Sequence, residues 1–126
     1  MLKPFVLTGA IAALAAVIFG AFGAHALKSI LSDSQLTSWH TAVDYQFYHA
    51  LALLILPALR HAVSNRLLST AGICFVAGIV LFSGSIYLLT LLEWRFLGPV
   101  TPLGGLFFMI GWVALINGVV KGKWHE

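Results

Sequence analysis

The chain has 126 residues, of which 60% are hydrophobic and 9% charged, and this excludes an ordinary soluble domain, where about a quarter of residues carry charge. The net charge of +3 comes from basic residues scattered singly, a pattern that orients a chain in a membrane and argues against a nucleic-acid partner. The single cysteine, Cys74, excludes an internal disulfide, a Cys-x-x-Cys redox pair and an all-cysteine metal site.

Four apolar stretches without Asp, Glu, Lys or Arg dominate the chain. They are Pro4 to Leu27, Tyr45 to Leu59, Leu67 to Leu92 and Phe96 to Val120. A helix needs about 20 residues to cross the hydrocarbon layer of a membrane, because the layer is about 30 Å thick and a helix rises about 1.5 Å per residue. We therefore predict an all-α fold with one domain over residues 1–126, an integral membrane bundle of four transmembrane helices at about 5–27, 34–59, 67–92 and 100–120.

The first helix has some features of a secretory signal, namely Lys3, an apolar stretch and the small-x-small sequence Ala24-His25-Ala26. Its apolar stretch from Phe5 to Phe22 is longer than the 7–15 residues or so of a signal core. We therefore expect a retained transmembrane helix.

Small residues recur at helical spacing in the first and last helices. In membranes such stripes let helix backbones approach closely, either within one bundle or between copies of a protein. We predict that these small residues pack helices within one bundle. Homo-oligomerisation through one of the stripes stays open as an alternative. The predicted packing residues are Gly9, Ala13, Ala16, Gly20, Gly104, Gly111 and Gly118.

The second helix is the least apolar of the four. Residues 32–35 read Ser-Asp-Ser-Gln, the pattern of a capping box whose first residue is the N-cap. Pro57 falls in the last turn, where its missing amide should bend or end the helix. To reach membrane length this helix must include residues that precede its charge-free run, among them His40 and Asp44.

Polar side chains therefore lie inside the membrane on two surfaces of the second helix. One surface carries Asp44 and Tyr48, and the other carries Gln46 and His49. Ionisable groups at such depth face a bundle interior and need partners, so we expect both surfaces to contact other helices. The predicted polar cluster, in the half of the bundle away from the termini, comprises His25, Trp39, His40, Asp44, Gln46, Tyr48, His49, Ser83, Ser85 and Tyr87.

Four interpretations of this cluster are open. It could be a hydrogen-bonded network that fixes how the second helix docks, with Lys28 or Arg95 paired to Asp44. It could hold a metal ion through His25, His49 and a further group, although no strong metal-ligand spacing is present. It could relay a proton or another ion through Asp44 and His49, although the other half of the bundle offers almost no ionisable residue to continue the path. It could be an enzyme pocket with a histidine base and Asp44 as the orienting group.

The basic residues are distributed unequally between the two sides of the membrane. With four crossings both termini share a side. The opposite side carries two basic residues, Lys28 and Arg95, together with the acidic residues Asp33, Asp44 and Glu93. The shared side carries five basic residues: Lys3, Arg60, Arg66, Lys121 and Lys123. The positive-inside rule therefore predicts that both termini lie in the cytoplasm.

Motifs in all four helices resemble the family catalogued as domain of unknown function 423, which includes the bacterial YgdD proteins and the eukaryotic transmembrane protein 256. The resemblance covers essentially the whole chain in order. It departs at Glu93-Trp94-Arg95, where the family has a short apolar or glycine-containing turn. The stretches that carry it are residues 20–27 (GAFGAHAL), 39–53 (WHTAVDYQFYHALAL), 81–87 (LFSGSIY), 101–105 (TPLGG) and 111–112 (GW). The resemblance implies a four-helix protein of the bacterial inner membrane and supplies no activity, substrate or cofactor.

Three functional hypotheses follow. The first is a small non-enzymatic membrane protein that binds a partner protein or a lipid within the bilayer. The alternative is an ion-coupled or small-solute transporter that uses Asp44 and His49. The third hypothesis is an unrecognised membrane enzyme, which is the least favoured because no catalytic motif is present. We predict no cofactor and no metal.

Overall fold

Four helices long and apolar enough to cross a membrane follow one another in the computed structural model, which describes residues 2–124. The prediction of an all-α chain with four membrane-length helices is thereby confirmed, and no strand occurs in residues 2–124. The helices are α1 (Lys3–His25), α2 (Asp33–Leu59), α3 (Asn65–Leu92) and α4 (Val100–Lys121).

Local sequence signals fix both ends of α2. The Ser32 hydroxyl accepts the amide of Gln35 at 3.2 Å, while the Gln35 side chain accepts the amide of Ser32 at 2.9 Å, which completes the predicted capping box. Near Pro57 the α-helical geometry ends at Ile55, and the last turn of α2, Leu56–Leu59, is a 3₁₀ helix. This is the effect expected of a proline that removes an amide donor.

The chain folds into two helical hairpins. The most extensive helix contacts join α1 to α2 and α3 to α4. The first residues of α1, the loop between α2 and α3 and the end of α4 meet at one end of the bundle, where the Lys123 amide donates to the carbonyl of Ala62 at 2.9 Å. We call this the terminal end, and we call the end with the other two connections the distal end.

Glycines permit the closest helix approaches. A Cβ on Gly9 in α1 would lie 2.8 Å from the carbonyl oxygen of Ala50 in α2. A Cβ on Gly104 in α4 would overlap the backbone of Leu81 and Phe82 in α3. Both positions need glycine because backbone atoms cannot give way as a side chain can. Of the predicted packing residues, the structure buries Gly9, Ala16, Gly104, Gly111 and Gly118 and half-buries Ala13 and Gly20.

The middle of α3 is not a regular α-helix. Residues Ile79–Gly84 form a π-helical segment between the α-helical stretches Asn65–Gly78 and Ser85–Leu92. The segment coincides with the place where Gly104 meets the α3 backbone and where Ser83 turns towards α2. Short π segments of this kind often occur where a helix adjusts to a neighbour or carries a function.

Two apolar clusters form the interior. The larger contains Leu53, Leu56, Leu68, Phe75 and Phe108 and fills the bundle from its middle to the terminal end. The smaller surrounds Trp39 and fills the distal half between α1, α2 and α3, with Phe19 and Tyr87 packed against it. Large apolar side chains elsewhere on α1 and α4 are exposed, as expected for surfaces that face lipid.

Candidate functional site

Buried polar side chains at the middle and distal half of the bundle tie three helices to α2. Gln46, His49, Ser83, Ser85 and Thr90 are the buried polar residues of the described chain, and none of their buried polar atoms lacks a hydrogen-bond partner. Such groups are costly in an apolar interior unless they are paired. Their pairing therefore specifies how the helices are arranged.

Gln46 connects α2 to two other helices. Its amide nitrogen donates to the carbonyl of Ala12 in α1 at 2.8 Å, and its amide oxygen accepts the hydroxyl of Tyr87 in α3 at 2.6 Å. A glutamine suits this position because its side chain carries both a donor and an acceptor. One side chain thus holds three helices together.

His49 connects α2 to α4 at the middle of the bundle. The indole Nε1–H of Trp112 donates to Nε2 of His49 at 3.0 Å, and Nδ1 of His49 lies 2.7 Å from the carbonyl oxygen of Tyr45. Because an indole N–H can only donate, Nε2 is the acceptor, so Nδ1 carries the proton and donates to Tyr45. The ring also stacks on Phe108 with 3.6 Å between the centroids. Both nitrogens of the neutral imidazole are therefore occupied.

Trp39 and Ser83 add two further connections to α2. The Trp39 indole donates to the carbonyl of Phe19 in α1 at 2.9 Å, and its ring lies 4.7 Å from that of Tyr87. The Ser83 hydroxyl, within the π segment, donates to the carbonyl of Ala42 at 2.7 Å. Ser85 instead pairs with Thr101 at the start of α4. The Trp39 and Ser83 bonds end on backbone carbonyls, whereas the Ser85 bond joins two hydroxyls, and hydroxyl side chains commonly form hydrogen bonds across membrane helices.

The predicted cluster of ten residues is not brought together as one site. Trp39, Gln46, His49, Ser83, Ser85 and Tyr87 form the inward network described above. His25, His40, Asp44 and Tyr48 are exposed on the outside of the bundle. Other helices cover only one of the two polar surfaces of α2, because the face that carries Gln46 and His49 is the one packed against α1, α3 and α4.

Asp44 occupies the uncovered surface at membrane depth. It borders a small cavity of about 210 Å³, lined also by Ala16, Val17, Phe47 and Tyr48 among others. With the middle of α1 placed at the middle of a hydrocarbon layer about 30 Å thick, Ala16, two residues from that point, lies roughly 12 Å below the nearer boundary. The expected partners of Asp44, Lys28 and Arg95, lie instead in the turns of the distal end.

Sequence reasoning missed Trp112 and Phe108, the two α4 side chains that contact His49. A signal for Trp112 was present, because tryptophans of membrane proteins are enriched at the interfaces and this one lies in the middle of a span. An indole N–H at that depth needs an acceptor, and a histidine is a suitable one. The stacking of Phe108 had no comparable signal.

Within residues 2–124, no three His, Cys, Asp or Glu side chains lie close enough to hold one ion. His25 ends α1 at the distal end, whereas His49 lies at the middle of the bundle. The inward polar side chains form hydrogen bonds between helices, and the Asp44 carboxylate lies outside this network.

The fold and the network define a small multi-pass membrane protein whose helices are fastened to a central α2. The family described as "Protein of unknown function (DUF423)" matches residues 19–105, and the chain belongs to it, which confirms the resemblance inferred from its motifs. The chain is 46% identical over 121 residues to the UPF0382 membrane protein YwdK of Bacillus subtilis, a match that covers 95% of this chain and 98% of that protein. It is 45% identical over 120 residues to the UPF0382 membrane protein SAB0533 of Staphylococcus aureus, with the same coverage. No solved structure matches the chain.

Proposed function

We propose that this protein is a non-catalytic accessory subunit that binds another integral membrane protein within the bilayer, through the uncovered surface of α2. The observation that carries the proposal is Asp44, an exposed carboxyl at membrane depth. An ionisable side chain in hydrocarbon is expensive and marks a functional contact by default. At about 12 Å from the boundary the carboxyl is also too deep for a lipid headgroup, so a protein is the better partner.

The residues around Asp44 support an interface of moderate size. Thr37, Thr41 and Tyr48 lie on the same side of α2, at spacings of three and four residues from one another or from Asp44. The two threonine hydroxyls donate to backbone carbonyls of their own helix, at 3.0 Å each. The carboxyl and the Tyr48 hydroxyl are the groups left to bond a partner helix. A partner with a donor or a cation at the same depth fits this surface.

An ion-coupled transporter is less well supported. Asp44 and His49 are five residues apart and therefore about 140° apart around the helix, so they face different environments. His49 already uses both ring nitrogens. An ion path through both residues would have to leave the bundle and re-enter it. An enzyme is disfavoured for the same reason, since the proposed base and orienting group do not share a pocket.

We also propose that both termini face the cytoplasm of a bacterial inner membrane, since five basic residues lie at the terminal end and two at the distal end. A reporter active only in the cytoplasm should work when fused after the C-terminus. If a reporter fused at the same position were active only outside the cytoplasm, the proposed orientation would be wrong.

The accessory role is tested by photo-crosslinking in the native membrane. A photoreactive phenylalanine replaces Tyr48, and the control replaces Leu7, which is exposed on α1. We expect one discrete adduct at Tyr48 with a second membrane protein, absent at Leu7 and lost in Asp44→Leu. Equal adducts at both positions, or an adduct that persists in Asp44→Leu, would reject the proposal. An adduct of two copies of this chain would replace the accessory role by self-association.

A further inference from the structure

A basic cavity opens at the terminal end, far from α2's uncovered surface. It has a volume of about 410 Å³ and lies between the loop that follows α2 and the last turn of α4. The bond from the Lys123 amide to the Ala62 carbonyl holds these two segments together across it. The residues that line it are His61, Ala62, Val63, Ser64, Leu67, Gly118, Lys121, Gly122 and Lys123.

Two lysines give the cavity positive charge, and none of the side chains of residues 2–124 that line it is acidic. Lys121 and Lys123 line it together with His61. In residues 2–124 the acidic side chains are Asp33 and Glu93 at the distal end and Asp44 within the span. Cations gathered at one end without acidic partners among these residues favour an anion supplied from outside the chain.

A groove lined by apolar side chains, with Asn117 as its one polar lining residue, continues from the cavity along the lipid-facing side of α4. Its volume is about 510 Å³, and Leu67 lines both the cavity and the groove. The groove extends from Ile110 to Val120, which is about 15 Å along the helix and so about half the thickness of the hydrocarbon layer. That is the depth reached by the acyl chain of a single leaflet.

We propose that this end of the protein binds an anionic phospholipid, with the headgroup phosphate between Lys121 and Lys123 and one acyl chain in the groove along α4. The basic cavity matches the headgroup, and the apolar groove beside it matches the chain. A free anion would use the cavity alone, so the groove distinguishes the two sources. This binding site is separate from the Asp44 surface and does not depend on the proposed accessory role.

Binding of the phospholipid headgroup in the cavity is tested with purified protein in a neutral detergent. Thermal unfolding and native mass spectrometry are recorded with phosphatidylglycerol and with phosphatidylcholine. We expect only phosphatidylglycerol to raise the melting temperature and to stay bound. The variant Lys121→Gln/Lys123→Gln should bind it roughly 25-fold more weakly, because a lysine near a charged lipid contributes about fivefold. The control Lys3→Gln, at the same end and outside the cavity lining, should retain wild-type affinity.

Binding of the acyl chain is tested with a variant whose side chain fills the groove. Val113 is exposed and lines the groove, so Val113→Trp should fold normally while it weakens phosphatidylglycerol binding. Glycerol phosphate, which has no acyl chain, should stabilise the protein far less than phosphatidylglycerol. The proposal is overturned if the double lysine variant binds phosphatidylglycerol as wild type does. It is also overturned if glycerol phosphate stabilises equally well and Val113→Trp has no effect, since the ligand would then be a free anion.

Discussion

At the scale of single residues, His49 and Asp44 show why polar groups in one helix can have opposite roles. The His49 ring has a partner at each nitrogen and an aromatic ring stacked on its face. Asp44, five residues earlier, is exposed and is absent from the hydrogen bonds that fasten α2 to its neighbours. Removal of the first therefore tests the stability of the bundle, and removal of the second tests a contact outside it.

A double-mutant cycle should detect the bond between His49 and Trp112. His49→Phe leaves the indole N–H of Trp112 without an acceptor, and Trp112→Phe removes the donor. We expect a coupling free energy of about 0.6 kcal/mol and no more than about 1.7 kcal/mol, the mean and the maximum found for hydrogen bonds between membrane helices. The measurement is reversible unfolding in detergent of both single variants and the double variant. A coupling of zero would mean that the bond contributes nothing to stability.

Asp44→Leu should leave the isolated protein as stable as wild type, within about 0.5 kcal/mol, because exposed positions outside a network tolerate substitution. The same unfolding experiment in detergent measures this. The matched comparison is Gln46→Leu, two residues away, which breaks bonds to Ala12 and Tyr87 and should destabilise the protein clearly. A large loss of stability in Asp44→Leu would show that the carboxyl has a structural role and would weaken the partner hypothesis.

Glu93 ends α3 with a backbone conformation that usually belongs to glycine. Its φ of 54° and ψ of 35° are left-handed, and it is the one non-glycine residue with positive φ in residues 2–124. This conformation costs a residue with a Cβ about 1–2 kcal/mol, so Glu93→Gly should raise the free energy of unfolding by about 1 kcal/mol. Thermal unfolding measures the gain. Glu93→Ala, which removes the charge and retains the Cβ, should show no such gain, and an equal gain would attribute the effect to charge.

At the scale of helices, the crossing of α3 and α4 depends on Gly104 and not on its neighbour Gly105. Gly104→Ala places a methyl group against the backbone of Leu81 and Phe82, whereas the nearest atom to a Cβ on Gly105 is 3.9 Å away. We expect Gly104→Ala to cost about 1–3 kcal/mol, towards the upper end, because overpacking against backbone cannot be relieved by a rotamer change. Gly105→Ala should be neutral or slightly stabilising. Equal melting temperatures for the two variants would contradict this account of the crossing.

The positions and ends of the helices are predictable from the sequence, whereas the π segment within α3 depends on packing against other helices. The lengths of the apolar runs, the capping box and Pro57 predicted where α2 crosses the membrane and how its ends are formed. Nothing in residues 79–84 predicted the π segment, because a sequence such as Ile-Val-Leu-Phe-Ser-Gly is compatible with a regular membrane helix. The segment reflects the fit to Gly104 and to the Ala42 carbonyl, which come from other helices.

The candidate site was predictable in its residue types and not in its geometry. Helical periodicity correctly separated Asp44 and Tyr48 from Gln46 and His49. It could not indicate which surface the other helices cover, since that depends on how the two hairpins dock. Trp112, the partner of His49, lies 63 residues away in the chain, so no local pattern links the two.

At the scale of the whole molecule, two hairpins meet mainly through α2. The polar bonds between them join Gln46 to Tyr87, Ser83 to Ala42 and Trp112 to His49. A chain cut between Arg60 and His61 and expressed as two hairpins should therefore reassemble in the membrane. Co-purification of a tagged first hairpin with the second measures this. Gln46→Leu/His49→Leu in the first hairpin should reduce recovery of the second, and undiminished recovery would show that apolar contacts suffice.

The bonds from α2 to the carbonyls of Ala12 and Phe19 also bear on how the protein is made. α2 is the least hydropathic of the four spans, and on its own it is the poorest substrate for insertion. The ribosome delivers α1 first, so the acceptors for Gln46 and Trp39 are already in the bilayer when α2 leaves the translocon. A circular permutant that begins at α2 would send this helix into the membrane before its acceptors arrive, and we expect it to insert less efficiently than the natural order.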